Sequence, residues 1–303
     1  MFYTPVLFLI FNRPDTTFKV FEVIKHIKPK ALFIAADGPR LGKEGEIKKC
    51  QQAREVIKQI DWECEVHTLL RENNLGCKKA VSFAIDWFFE HVEEGIILED
   101  DTLPHPDFFA FCANLLQRHR NDLRVMHIGG NNLLPHGIVK QMPYYFSIYN
   151  HIWGWATWRR AWRLYDREMT QLERFIEQNQ IKAITNSKIE QQYWIESFLK
   201  VRRGEIDTWD LQWTFSIWNK GGMAALPSVN LVSNIGFRAD ATHTTGDSPL
   251  ANLPTQSLKV TRHPLIKRIN RRADICAREI VFQLVDVKPR KNKWWSRLTR
   301  LVC

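Results

Sequence analysis

The chain has no paired cysteines. Its six, Cys50, Cys64, Cys77, Cys112, Cys276 and Cys303, stand singly, without a C-x-x-C. That pattern excludes a recognisable zinc ribbon or redox dithiol and leads to the expectation of reduced thiols in a cytosol. A glycine-rich phosphate loop is missing, as are an internal repeat and a low-complexity linker. Long hydrophobic runs are missing too. The opening "MFYTPVLFLIFNRPD" is apolar, but it has neither a basic leader nor a small-residue cleavage site, and Asn12 and Arg13 break it far short of a membrane span. A strand is expected there, in a protein of the cytoplasm that is at most peripheral to the inner face of a membrane.

What is present is enough for a full core. At 303 residues the chain makes one large domain, or one domain with a smaller attachment. The formal charge of +10 is unevenly placed. Residues 259–303 hold 13 Lys and Arg against Asp274, Glu279 and Asp286, which leaves the other residues balanced at 30 against 30. The end of that segment, "KPRKNKWWSRLTRLVC", mixes basic residues with Trp294, Trp295, Leu298, Leu301 and Val302. Such a mixture suits an anionic membrane surface, at about 1 kcal/mol per basic residue, and suits a solvated terminus equally well. The neutral body gives nucleic acid little support as a partner.

Apolar runs recur through the first half: "VLFLIFN" (6–12), "ALFIAAD" (31–37), "CEVHTLL" (64–70), "GIILED" (95–100) and "RVMHIGG" (124–130). Between them lie helical faces, Val20, Phe21, Ile24 and Ile27 in one, Val81, Ala84, Ile85, Phe88 and Phe89 in the other. This alternation predicts an α/β fold, a Rossmann-like and mostly parallel sheet flanked by helices. Ligands bind such sheets at the carboxyl ends of the strands. The residues expected on that rim are Asn12-Arg13-Pro14, then Asp37-Gly38-Pro39-Arg40, then Arg71 to Gly76, then Glu99-Asp100-Asp101.

Three consecutive carboxylates behind a core strand need either a cation or a solvated turn that caps the next helix around Pro106 and Asp107. The buried-strand context favours the cation, and Mg²⁺ and Mn²⁺ commonly take one or two carboxylates with phosphate and water. Asn74, Lys78 and Lys79 are placed either beside an anion at a helix start or as plain caps of that helix. His127 and Gly129-Gly130-Asn131 are candidates for the acceptor side. Seven of the twelve tryptophans fall between 153 and 213, among them those of "WGWATWRRAW". Indole faces can floor a sugar site, but for any single tryptophan core filling is the better expectation.

The stretch "LEDDTLPHPDFFAF" resembles the Glu-Asp-Asp signature of GT-A glycosyltransferases, most of all the N-acetylglucosaminyltransferase I type and related bacterial enzymes. "PVLFLIFNRP", "WGWATWRRAW" and "WDLQW" follow the same order, so the resemblance covers roughly residues 1–240. It implies a GT-A domain over 1–255, with a nucleotide-sugar half (1–130) and an acceptor half (131–255), followed by a basic helical tail (256–303). It also implies an inverting, metal-dependent hexosyl- or N-acetylhexosaminyltransferase. The donor would be a nucleotide diphosphate sugar, UDP favoured, with Mn²⁺ or Mg²⁺, and the acceptor a glycan, glycolipid or polysaccharide precursor. Position by position, Arg13 would hold the diphosphate and Asp37 the uracil or its equivalent. Asp101 would ligate the metal, and Asp100 would lie near the ribose or sugar with Glu99 beside it. Lys78 would approach the nucleotide, His243 would add a late metal ligand, and Asp210 would be the base. The family pattern has two adjacent aspartates before its second tryptophan where this chain reads Asp210-Leu211-Gln212-Trp213, so Asp207 competes for that role. A nucleotidyltransferase or phosphohydrolase is the alternative enzyme, disfavoured by the missing phosphate loop and second acidic cluster. A non-catalytic carbohydrate-binding or membrane-surface protein is the alternative outside enzymes.

Overall fold

The computed structural model describes residues 1–139, 142–237 and 248–286. His243 and the segment 287–303 lie outside the described residues. In β1 (Val6–Ile10) every residue is buried, Val6, Phe8 and Ile10 on one face and Leu7 and Leu9 on the other. That two-sided burial is what a central parallel strand requires. Pro14 then opens α1 (Pro14–Ile27), where its missing N–H is no loss. Asp15 in the first turn and Lys25 and His26 in the last complement the helix dipole.

The chain continues through β2 (Ala31–Ala36), α2 (Glu46–Arg54), β3 (Glu65–Leu70), α3 (Gly76–His91) and β4 (Glu94–Glu99). These four strands are parallel in the order β3-β2-β1-β4. Val20, Phe21 and Ile24 of α1 cover one face of them, while Ala84, Ile85 and Phe88 of α3 cover the other. The first two crossovers move outward from β1, and the third returns to its opposite side. The carboxyl ends of β1 and β4 therefore flank a topological switch point, where α/β sheets hold ligands.

Beyond it come β5 (Thr102–Pro104), α4 (Asp107–His119), β6 (Val125–Gly129), β7 (Tyr144–Ser147), β8 (Trp155–Trp158), α5 (Arg159–Trp162), α6 (Leu172–Glu177), α7 (Ile181–Ile184), α8 (Lys188–Arg202), α9 (Asp210–Asn219), β9 (Met223–Pro227), β10 (Val232–Asn234) and α10 (Arg271–Ile280). The full sheet has eight strands, continuing from β4 through β8, β6 and β9 to β7. β8 runs antiparallel between β4 and β6, and β7 is an antiparallel edge, so the sheet is mostly rather than wholly parallel. β5 and β10 form a separate antiparallel pair that brings Asn234 opposite Thr102, one residue beyond the acidic triplet.

β8 also settles the tryptophans. Trp155, Trp158, Trp209 and Trp213 are fully buried, and Trp155 stacks on Trp209 with ring centroids 5.5 Å apart. They are core, as expected of single tryptophans. Residues 256–286 pack onto the same body. Leu258, Val260 and Ile269 reach the core, Ala273 and Ala277 of α10 are buried, and the Asn270 N–H donates to the Phe146 carbonyl at 2.8 Å.

Candidate active site

The end of β4 and the start of α1 meet through charge. Arg13 Nη2 lies 2.8 Å from Asp100 Oδ1, and Arg13 Nη1 lies 2.7 Å from Asp101 Oδ2. Asp100, only 2% exposed, also accepts the backbone N–H of Phe11 at 3.1 Å, so it ties β1 to β4. Asp101 lines one cavity and Asp100 its neighbour. Glu99 is anchored by its backbone, which exchanges two 2.9 Å hydrogen bonds with the Thr102 hydroxyl, and this leaves its carboxyl at the junction described next.

Two cavities, of about 380 and about 250 Å³, adjoin at the switch point and share Arg13, Cys77 and Glu99 as a common wall. The larger is lined by Asp101 and Asp210, with Trp153, Tyr193, Trp209 and Phe282 among the aromatic groups around it. The smaller is lined by Asp37, Arg40, Arg71 and Asn74 together with apolar atoms of β1, β2 and α3. The shared wall thus sets one guanidinium and one carboxyl between a cleft with polar anchors and a cleft with aromatic walls. Of the sequence candidates, Arg13, Asp37, Asn74, Glu99, Asp100, Asp101, Asp207 and Asp210 are brought to these two cavities, Asp207 to the smaller and Asp210 to the larger. Lys78 is directed to Glu168, at 2.9 Å, and His243 lies outside the described residues.

Electrostatics sharpen the picture. Burial pushes the Glu99 carboxyl up to about 8, reinforced by Asp101 and Asp100. Burial likewise raises Asp100 to about 6, against the pull of Arg13. For Arg13 itself burial acts to lower the pKa, but the charges of Asp100, Asp101 and Glu99 outweigh it and keep the guanidinium protonated. One fixed cation thus faces three carboxylates, with Asp210 close enough to add to their repulsion. Cys77, between the cavities, is raised by burial and by Glu99 and Asp210, so its thiol stays protonated and is no nucleophile.

This imbalance tests whether a divalent cation fits. The donor oxygens are hard, the local charge is negative, and Arg13 engages Asp101 through Oδ2. No group of three His, Cys, Asp or Glu side chains arranged for a metal exists among the described residues. An ion here would rest on Asp101 and complete its shell from a diphosphate and water, the usual habit of Mg²⁺. The residues present fit that arrangement.

The two candidates for the base are separated by their contacts. Asp207 accepts the backbone N–H of Cys77 at 2.9 Å and that of Lys78 at 3.1 Å, one on each carboxylate oxygen, and so caps α3 from a distant loop. Asp210, the first residue of α9, lines the larger cavity and accepts the Thr208 hydroxyl on Oδ1. Asp37 holds the opposite wall by accepting the Leu75 N–H and the Asn74 side-chain amide at 2.9 Å. Burial raises its pKa against those donors.

Several contributors were not singled out in the sequence. Glu46, buried on α2, accepts from Asn12 at 2.9 Å and from the Arg40 backbone at 2.6 Å, and thereby fixes the rim after β2. Gly236 lies so close to Asp101 that a Cβ there would stand 2.1 Å from Oδ2. Asn150 Nδ2 and Trp194 Nε1, on residues that line the larger cavity, are buried without a hydrogen-bond partner among the described residues. None of these has a local sequence signal, because burial and a place at the rim arise only in the folded chain. His127, a candidate for the acceptor side, is fully buried. It accepts from Trp213 Nε1 at 3.3 Å through Nδ1, so its Nε2 carries the proton and donates to the His151 carbonyl at 3.0 Å. Burial lowers it to about 3, and it remains neutral.

No family model and no curated protein matches the chain. Among solved structures it is similar to HddC from Yersinia pseudotuberculosis, with 10% identity and a TM-score of 0.31, over 52% of this chain and 77% of that one. It is also similar to S. aureus TarS 1-349, with 11% identity and a TM-score of 0.39, over 75% of this chain and 58% of that one. Overlaps this loose carry no argument about activity, which rests on the site itself.

Proposed function

We propose that the protein is a nucleotide-sugar-dependent glycosyltransferase, inverting and assisted by Mn²⁺ or Mg²⁺. It would move a sugar from a nucleoside diphosphate, UDP by preference, to a hydroxyl of a glycan, a glycolipid or a polysaccharide precursor. The observation that carries the proposal is the convergence of Arg13, Asp101 and Asp210 on one cavity that adjoins a second cavity walled by Asp37. The base and ribose occupy the smaller cavity, the diphosphate lies at the shared wall, and the sugar and acceptor enter the larger one. Residues 287–303 supply a basic, tryptophan-bearing contact for an anionic membrane.

Breaking the sugar–phosphate bond places negative charge on the departing diphosphate. Arg13 stays protonated in this setting and has N–H groups beyond the two that bind Asp100 and Asp101, so it can donate to phosphate oxygens as that charge grows. A divalent ion on Asp101 supplies further charge neutralisation when bound. Asp210 presents Oδ2 to the acceptor hydroxyl while Thr208 orients Oδ1, and it takes the proton as the hydroxyl oxygen attacks. Asp207 has both oxygens engaged by α3, which supports Asp210 as the base.

The test is transfer from UDP-sugars to saccharide acceptors, with the product's anomeric configuration read by NMR. Inversion is expected, and Asp210→Asn should lower kcat by about 10²–10⁴-fold while donor binding is kept. Retention of configuration, or full kcat in Asp210→Asn, would overturn the assignment.

A further inference from the structure

The far edge of the sheet carries a second surface whose composition differs from that of the site. The segment leading into α10 runs beside the edge strand β7, bridged at Phe146 and Ile269. It presents Leu265 at 97% and Ile266 at 77% exposure, neighbouring aliphatic side chains left in water on a folded body. Ile266 also lines an open cavity of about 550 Å³ with Ile138, Val139, Arg268 and Arg272, and no carboxylate lines it. Among the described residues neither Arg268 nor Arg272 takes part in a salt bridge, whereas Lys267, next to Arg268, is turned back to Asp122 at 2.8 Å.

Exposed aliphatic groups beside uncompensated guanidinium groups suit one kind of surface. Arginines at headgroup depth gain from anionic lipid, and the aliphatic pair gains from the acyl boundary just beneath. The chain's own segment 287–303 is a poor cover, since its excess of Lys and Arg would meet the two arginines with like charge. A second copy would present the same basic face and meet the same repulsion.

We infer that Leu265, Ile266, Arg268 and Arg272 form a docking patch for an anionic phospholipid membrane, built into the folded body and separate from residues 287–303. Its position has a consequence for the site. α10 starts at this patch and leads over ten residues, about 15 Å, to Val281 and Phe282, which line the larger cavity. A membrane bound at the patch would be linked to that cavity through α10. The docking claim itself does not depend on the transfer chemistry.

The test uses the full chain and cosedimentation with vesicles of phosphatidylcholine alone or mixed with phosphatidylglycerol. Binding is expected only to the mixed vesicles and should weaken as salt rises. Arg268→Ala with Arg272→Ala should weaken it about 25-fold, roughly fivefold for each charge lost. Leu265→Ser with Ile266→Ser should weaken it about tenfold with the charge unchanged. All four residues lie at the surface or on an open cavity, and an unchanged melting temperature in each variant would show that the fold is kept. Equal vesicle binding by the wild type and both double variants would overturn the inference, and so would a wild-type dimer that Leu265→Ser with Ile266→Ser dissolves.

Discussion

At the scale of the residue, the decisive contact is a guanidinium shared by two carboxylates. Removing Arg13 leaves Asp100 buried without its cation, and breaking a buried pair this way costs about 3–5 kcal/mol. Arg13→Ala should therefore lower the stability measured by urea titration by that amount, and a loss below about 1 kcal/mol would show that Arg13 is dispensable to the fold. Gly236→Ala probes the same spot from the other side. A Cβ 2.1 Å from Asp101 Oδ2 and 2.8 Å from Arg13 Nη1 forces those side chains to shift. Nucleotide binding read by calorimetry should fall at least tenfold, with little change in helical content by circular dichroism. The acidic triplet was legible because three carboxylates behind an apolar run are a local pattern. Gly236, Asn150 and Glu46 were not, since their roles exist only after β10, β7 and α2 are folded beside the rim.

At the scale of the element, Asp207 and Asp210 differ in their contacts, and on the proposed reading they take the two roles that sequence spacing left open. Asp207 caps α3 across 130 positions, so Asp207→Ala should cost about 0.5–2 kcal/mol, the usual loss of an N-terminal cap. Asp210→Asn should leave the denaturation midpoint almost unchanged and act on kcat alone. The reverse pattern in paired denaturation and kinetic measurements would exchange their assignments. The first four strands were readable because each is a short apolar run between turns, and their crossovers admit essentially one hand. β8 was harder. Its tryptophan-rich stretch has no period that separates a core strand from a sugar platform, and only its insertion between β4 and β6 decides for the core.

At the scale of the whole molecule, α10 is tied to the sheet through a buried carboxyl with a pH signature. Asp274 accepts the Ser147 hydroxyl at 2.6 Å, and burial pushes its pKa up to about 7 from the ordinary 3.8. The folded state thus keeps a proton that the unfolded chain releases, and this contribution to stability is present at low pH and is lost as pH rises through the window from about 4 to 7. Buried His127, lowered to about 3, acts in the opposite sense, so the reading must be a difference between variants. Asp274→Asn should gain stability relative to the wild type as pH rises across that window, and a pH-independent difference would contradict the assignment. The central claim is that the two cavities flanking Arg13 bind a nucleoside diphosphate. Its most direct test is a thermal-shift series with UDP, GDP, CDP and dTDP, each with Mn²⁺ and with EDTA, on the wild type and on Asp101→Asn. A ligand specific to the folded state adds about 2.7 kcal/mol at a hundredfold excess over its Kd. The account predicts that one diphosphate, UDP, raises the melting temperature only with metal present and only with Asp101 intact. No shift with any diphosphate, or the same shift in Asp101→Asn, would contradict it.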